Sequence, residues 1–198
     1  MGRIVVTEFI SLDGVIEAPG GGEGFKHDGW SFEISRGDEG DKFKLDETMS
    51  SDALLLGRKT YEGFAAAWPS RDGEFADKFN TMPKYVVSST LSDPEWNNST
   101  VLDGDVAEAV AKLKKEQDGD IVVHGSAQLV QALLDNDLVD ELTLFVAPVV
   151  VGQGTRLFPD SGKDLALGLT DSRATPNGVT IQVYRAAGRP EYATATLS

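Results

Sequence analysis

The chain has no cysteine, and His27 and His124 are its only histidines among 198 residues. Without thiolates there is no disulfide, no thiolate zinc site and no cysteine nucleophile, and two separated histidines do not make a metal centre. Positive charge is scarce as well: 18 Lys and Arg stand against 32 Asp and Glu, for a formal net charge of -14. Such a surface repels a phosphate backbone or an anionic bilayer, so neither nucleic acid nor a membrane is expected as a partner. Long apolar runs are missing too. Residues 4–10 are too short and interrupted for a signal-peptide core, and nothing nears the roughly 20 residues of a membrane-spanning helix. A cytoplasmic protein is the expectation, with the acidic excess serving solubility.

What is present reads as one α/β unit. Short aliphatic and β-branched runs at 4–10, 53–56, 85–88, 121–123 and 142–151 predict strands. Between them, Val106, Ala109, Val110 and Leu113 share one helical face, with lysines near its end and Gly119 as a stop. Leu129, Val130, Leu133 and Leu134 repeat that spacing after Ser126, which predicts an N-cap. Strands alternating with helices imply a three-layer fold around a mostly parallel central sheet. Asn177-Gly178 between residues 165–174 and 179–185 predicts a C-terminal antiparallel hairpin. A single domain over 1–187 is expected, followed by a loose tail at 188–198. The glycine-rich stretch at 18–24, APGGGEG, predicts a mobile loop over a site.

Against that acidic background, LLLGRKTYE at residues 54–62 places two adjacent cations after an aliphatic run. A buried strand over 54–56, a glycine that lets a ligand near the backbone at Gly57, and a helix starting at Thr60 would form an anion corner, with Arg58 and Lys59 supplying the charge. The alternative is a plain strand-to-helix turn with solvated cations. IVVHGSAQ at 121–128 offers a second such turn, and Ser88, Ser89 and Thr90 a third, where the hydroxyls hold a phosphate or merely satisfy the turn. For acid chemistry, Asp41 shares a helical arc with Leu45, Thr48, Met49 and Asp52, so it is expected at the edge of an apolar face with a raised pKa. The other reading has Asp38, Glu39 and Asp41 loading a helix N-terminus. Asp13 before Gly14 is the second candidate, or a turn residue. His124, ending an apolar strand, is expected to be a core histidine.

The order of SLDGVIE, LLLGRKTYE, KYVVSST, VVHGSAQLVQALL and DELTLFVAPVVVGQGTRLF resembles the dihydrofolate-reductase-like superfamily. More narrowly it is similar to the reductase domain of bacterial riboflavin biosynthesis, the RibD C-terminal domain, and its stand-alone relatives. The resemblance covers roughly residues 2–186. It implies a reductase binding NADPH through Gly57, Arg58, Lys59 and Thr60, through Ser88, Ser89 and Thr90, and through Gly125, Ser126, Ala127 and Gln128. It implies Asp41 as the proton manager with Asp13 behind it, and a small pterin-like or ribosylaminopyrimidine-like substrate. Leu12, Trp30, Gly154 and Arg156 would touch that substrate, with His27 beside Trp30. A fused zinc deaminase would need cysteines and an H-x-E pattern, so a stand-alone oxidoreductase is the expectation. A homodimer is also expected, through the strand at 142–151. The rival reading is a nucleotide-binding or dimeric scaffold without turnover.

Overall fold

A computed structural model describes residues 1–160 and 162–193. Its centre is an eight-stranded sheet in the order β4-β3-β2-β5-β1-β6-β8-β7. The strands are β1 (Arg3–Ser11), β2 (Ala53–Gly57), β3 (Lys84–Val87), β4 (Ser99–Leu102), β5 (Asp120–His124), β6 (Glu141–Ala147), β7 (Leu167–Ala174) and β8 (Thr180–Ala186). β1 to β6 pair in parallel, which requires crossovers, and five helices occupy the connections. These are α1 (Gly37–Ser50), α2 (Arg58–Ala67), α3 (Glu74–Thr81), α4 (Val106–Glu116) and α5 (Ala127–Asp135). β8 and β7 run antiparallel and form the C-terminal hairpin expected around Gly178. The fold is dihydrofolate-reductase-like, as the sequence implied.

The sheet is buried on both faces, which is why its central strands read as nearly continuous apolar runs. On one face Ile4, Val6, Leu55, Ile121 and Val123 pack under α4 and α5 through Val110, Leu113, Val130 and Leu133. On the other, Leu54, Leu56, Val86 and Val122 pack against Tyr61, Phe79, Met82 and Trp96. Lys84 is fully buried in this layer; its Nζ donates to the carbonyls of Asn80, Met82 and Asn97 and lies 4.4 Å from the Trp96 ring centre.

Several expectations change in detail. The strand expected at 142–151 ends at Ala147, where Pro148 removes a backbone donor. It is also interior, bonded to β1 and β8, so pairing with a symmetry mate through it is excluded; the sheet edges are β4 and β7. β4 and α3 had no counterpart in the sequence reading. The helix expected at Thr60 begins two residues earlier, at Arg58. The tail at 188–193 is tethered rather than loose: the Gly188 carbonyl accepts from Ala166 N–H, and Arg189 pairs with Asp137. The rest of that tail, 194–198, lies outside the described residues.

Candidate active site

The C-terminal ends of β1, β2, β3 and β5 open into one cleft of about 1690 Å³. Parallel sheets place ligands at this edge, because the strand-to-helix turns aim unpaired helix N–H groups outward. Gly57 to Thr60, Ser88 to Thr90 and Gly125 to Gln128 all line the cleft, so three turns far apart in sequence meet in one space. Residues of the glycine-rich loop, Ala18 to Glu23, form part of its wall.

One hydroxyl joins two of these turns. Gly57 N–H donates to Ser126 Oγ at 2.9 Å, and Thr60 Oγ1 and Ser126 Oγ share a hydrogen bond of 2.7 Å. Ser126 makes no side-chain cap on α5; it sits at φ 63°, ψ 68° with its hydroxyl turned across to β2. A Cβ on Gly57 would lie 2.5 Å from Ser126 Oγ. The glycine therefore makes room for Ser126, a correction to the expected close approach of a ligand there. Neither α2 nor α5 has its first-turn amides taken by a capping side chain, so both remain able to receive an anion. Arg58 and Lys59 are exposed and carry carboxylate partners, Glu62 at 2.8 Å and Glu23 at 3.7 Å. Ser88 Oγ accepts from the amides of Thr90 and Leu91, closing its own turn.

The acids fall differently from the sequence reading. Asp41 does not line the cleft: its side chain is 61% exposed and accepts from Arg36 Nε at 3.0 Å and Nη2 at 2.7 Å. The buried stripe of α1 is Gly40, Lys44 and Thr48, one residue round from the arc drawn through Leu45 and Met49, which carries Asp41 into solvent. Asp13 is also outside the cleft lining. Its carboxylate accepts from Ser11 Oγ and from the amides of Val151 and Gly152, and these bonds, led by the one from Ser11, lower its pKa to about 2. Asp13 is thus an ionised brace between the 11–14 turn and the segment after β6, and holds no proton at neutral pH.

The sequence reading missed Glu8. It lies on β1, is 3% exposed, and lines the cleft. Burial raises its pKa to about 8, with Lys44 pulling the other way. Lys44, also buried, donates to Thr7 Oγ1 at 2.8 Å and Glu47 Oε2 at 2.7 Å. Burial lowers the Lys44 pKa, opposed first by Glu47. His124 is buried against the Phe64 and Phe79 rings and lines the cleft, with Nε2 unpartnered. Burial and the nearby Lys44 hold it neutral, well below its ordinary value. A signal for Glu8 exists: a carboxylate inside an apolar parallel strand has no solvated face to point to.

None of the four residues expected to touch substrate lines the cleft. Leu12 is 64% exposed. Trp30 is buried with Nε1 donating to the Glu17 carbonyl. Gly154 has φ 119° and no room for a Cβ beside Val15 and Phe25, and Arg156 Nε donates to the Asp13 carbonyl. Trp30 and Arg156, outside the cleft lining, thus tie to the backbone at Glu17 and Asp13. His27 meets the Phe25 ring edge-on. An apolar wall of the cleft comes from the residue that caps α2 and from α3, where Trp68, Phe75 and Phe79 stack at centroid separations of 4.7–5.3 Å.

Comparison with known proteins places this geometry. An uncharacterised Bacillus subtilis protein, YyaP, is 30% identical over 187 residues, covering 92% of this chain and 94% of that one. A crystal structure of a Shewanella sp. PV-4 protein, provisionally named for riboflavin biosynthesis, superposes with a TM-score of 0.74 at 19% identity, covering 93% of this chain and 98% of that one. A pyrimidine reductase-like protein of Corynebacterium diphtheriae gives 0.59 at 14% identity, covering 93% and 91%. Residues 3–181 match the pattern of the RibD C-terminal domain, and the chain belongs to that family.

Proposed function

We propose that the protein is an NADPH-dependent reductase of a small heterocyclic substrate, reducing a C=N or similar bond. The observation that supports this best is the convergence of three uncapped or hydroxyl-bearing turns, with the adjacent cations Arg58 and Lys59, on one cleft at the C-terminal edge of the sheet. The residues fit such a dinucleotide: the α2 and α5 amides would receive its phosphates, Arg58 would offer a guanidinium to a 2'-phosphate, and Ser89 and Thr90 line the same cleft. When bound, the dinucleotide supplies hydride. The chain's part is to hold it across the sheet edge, to wall the substrate with Trp68, Phe75 and Phe79, and to keep neutral proton-bearing groups at the floor. The proposed assembly is a homodimer.

Equilibrium titration with NADPH and NADH, followed by tryptophan fluorescence, tests the reading. NADPH is expected to bind in the micromolar range and ahead of NADH. Arg58→Ala is expected to weaken NADPH by about 1.5–3 kcal/mol, as for a charge-assisted hydrogen bond, and NADH much less. No saturable binding of either nucleotide would leave a scaffold protein as the better reading.

A further inference from the structure

We propose that Glu8 carries the proton for the reduction: its carboxyl holds hydrogen at the cleft wall and releases it to the substrate nitrogen as hydride reaches the adjoining carbon. This rests on the reductase reading above.

Position is the first support. β1 pairs with β5 only as far as Thr7 opposite His124, so Glu8 is the first β1 residue beyond the end of β5. On that side it has no strand neighbour, and the sheet opens into the cleft between the Gly57 and Gly125 turns. The second support is an unmet bond. Glu8 Oε1 is buried and has no hydrogen-bond partner. An interior carboxyl oxygen left bare is costly, and of the five buried side-chain atoms without a partner among the described residues, those of Glu8 and His124 belong to residues that line the cleft.

The third support is the surrounding charge. Lys44 of α1 is the charged group acting on Glu8, and a hydrogen bond from the Gly125 backbone also favours the ionised form; Glu47 and Arg36 act on Lys44 in turn, and Lys44 on His124 of β5. Lys44 is committed to Thr7 and Glu47, His124 is neutral, and no ion pair joins Glu8 to a cation among the described residues. Burial therefore prevails, and Glu8 keeps its proton up to a pH of about 8. The other acids of the cleft are engaged: Glu17 accepts from Thr155, and Glu23 and Glu62 pair with Lys59 and Arg58.

In the step, a bound dihydronicotinamide would supply a hydride, one hydrogen with two electrons, to the substrate carbon and would itself be oxidised. The C=N π pair moves onto nitrogen, an N–H bond forms there, and the O–H bond of Glu8 breaks. Water then restores the Glu8 proton.

Three measurements test this. In carbon-13 NMR of chains labelled at glutamate carboxyls, the resonance lost in Glu8→Gln should titrate near pH 8; a midpoint in the ordinary carboxylate range overturns the proposal without reference to turnover. Denaturant unfolding should show the same group. Its folded pKa is raised, so the stability it confers is complete below about 4.5 and lost as pH rises through about 8. Glu8→Gln should flatten that slope, and an unchanged slope counts against the proposal. Finally, quinoxalin-2-one, a weakly basic cyclic C=N compound, serves as acceptor in single-turnover oxidation of NADPH. Glu8→Gln should slow it roughly a hundredfold with NADPH affinity retained, and Glu8→Asp should recover part of the rate. Equal rates in parent and Glu8→Gln overturn the role of Glu8, and so does a chain that binds NADPH but reduces no such bond. Failure to bind NADPH overturns the reductase reading itself.

Discussion

Gly57 and Ser126 form a pair whose energetics can be separated. Gly57 has an ordinary φ of -79°, so alanine there suffers no backbone strain; the obstacle is the Ser126 side chain, with Oγ at 2.5 Å and Cβ at 2.9 Å from the new methyl. Gly57→Ala should therefore cost about 2 kcal/mol, in the range of overpacking in a tight site. Ser126→Gly in the same chain removes the obstacle and relieves the φ of 63°, and should recover most of that loss. Denaturant unfolding of the two single variants and the double variant checks this, and additive costs would show that the contact is not the cause. Ser126→Ala has a different outcome. It keeps the strained backbone and leaves Gly57 N–H without its acceptor, an expected loss of about 1–3 kcal/mol.

At the level of elements, the strands and the C-terminal hairpin were legible because burial on both faces writes itself into Val, Ile and Leu runs, and Asn177-Gly178 dictates a tight reversal. α1 was legible as a helix but not in its orientation. Its inward stripe is Gly40, Lys44 and Thr48, none of them apolar, so the apolar residues Leu45 and Met49 mark the wrong face and place Asp41 on the wrong side. What fixes the true orientation is a pairing between distant elements: Lys44 reaches Thr7 of β1 and the Glu47 carboxylate. β4 was missed because Ser99–Leu102 is half exposed at a sheet edge and has no apolar run. The three cleft-lining turns were readable from local spacing, whereas Glu8 carries only the signal of a carboxylate inside an apolar strand, and its access to the cleft depends on where β5 stops. Lys44→Met should destabilise the chain by about 3 kcal/mol, because it strands a nearly buried Glu47 carboxylate. Lys44→Met with Glu47→Leu should cost less than Lys44→Met alone. Thermal or denaturant unfolding distinguishes these outcomes.

Over the whole molecule, strand-mediated assembly has only the edges β4 and β7 to use, and β7 exposes Leu169. A homodimer formed through β7 should scatter light at twice the chain mass of 21.2 kDa, and Leu169→Lys should return it to the single mass. An unchanged doubled mass would move the contact elsewhere. Charge has a further consequence at this scale. In a chain of net charge -14, two of the cations that line the cleft are already paired, Arg58 with Glu62 and Lys59 with Glu23. An anion arriving at Arg58 and Lys59 must take the place of those carboxylates, so what it gains from these two cations is the margin by which it outbids a carboxylate. A singly charged visitor gains almost nothing from that exchange, and a phosphate dianion gains a whole charge. Discrimination by valence is thus built into the cleft by the protein's own acids, and removing them would make the site more adhesive and less choosy.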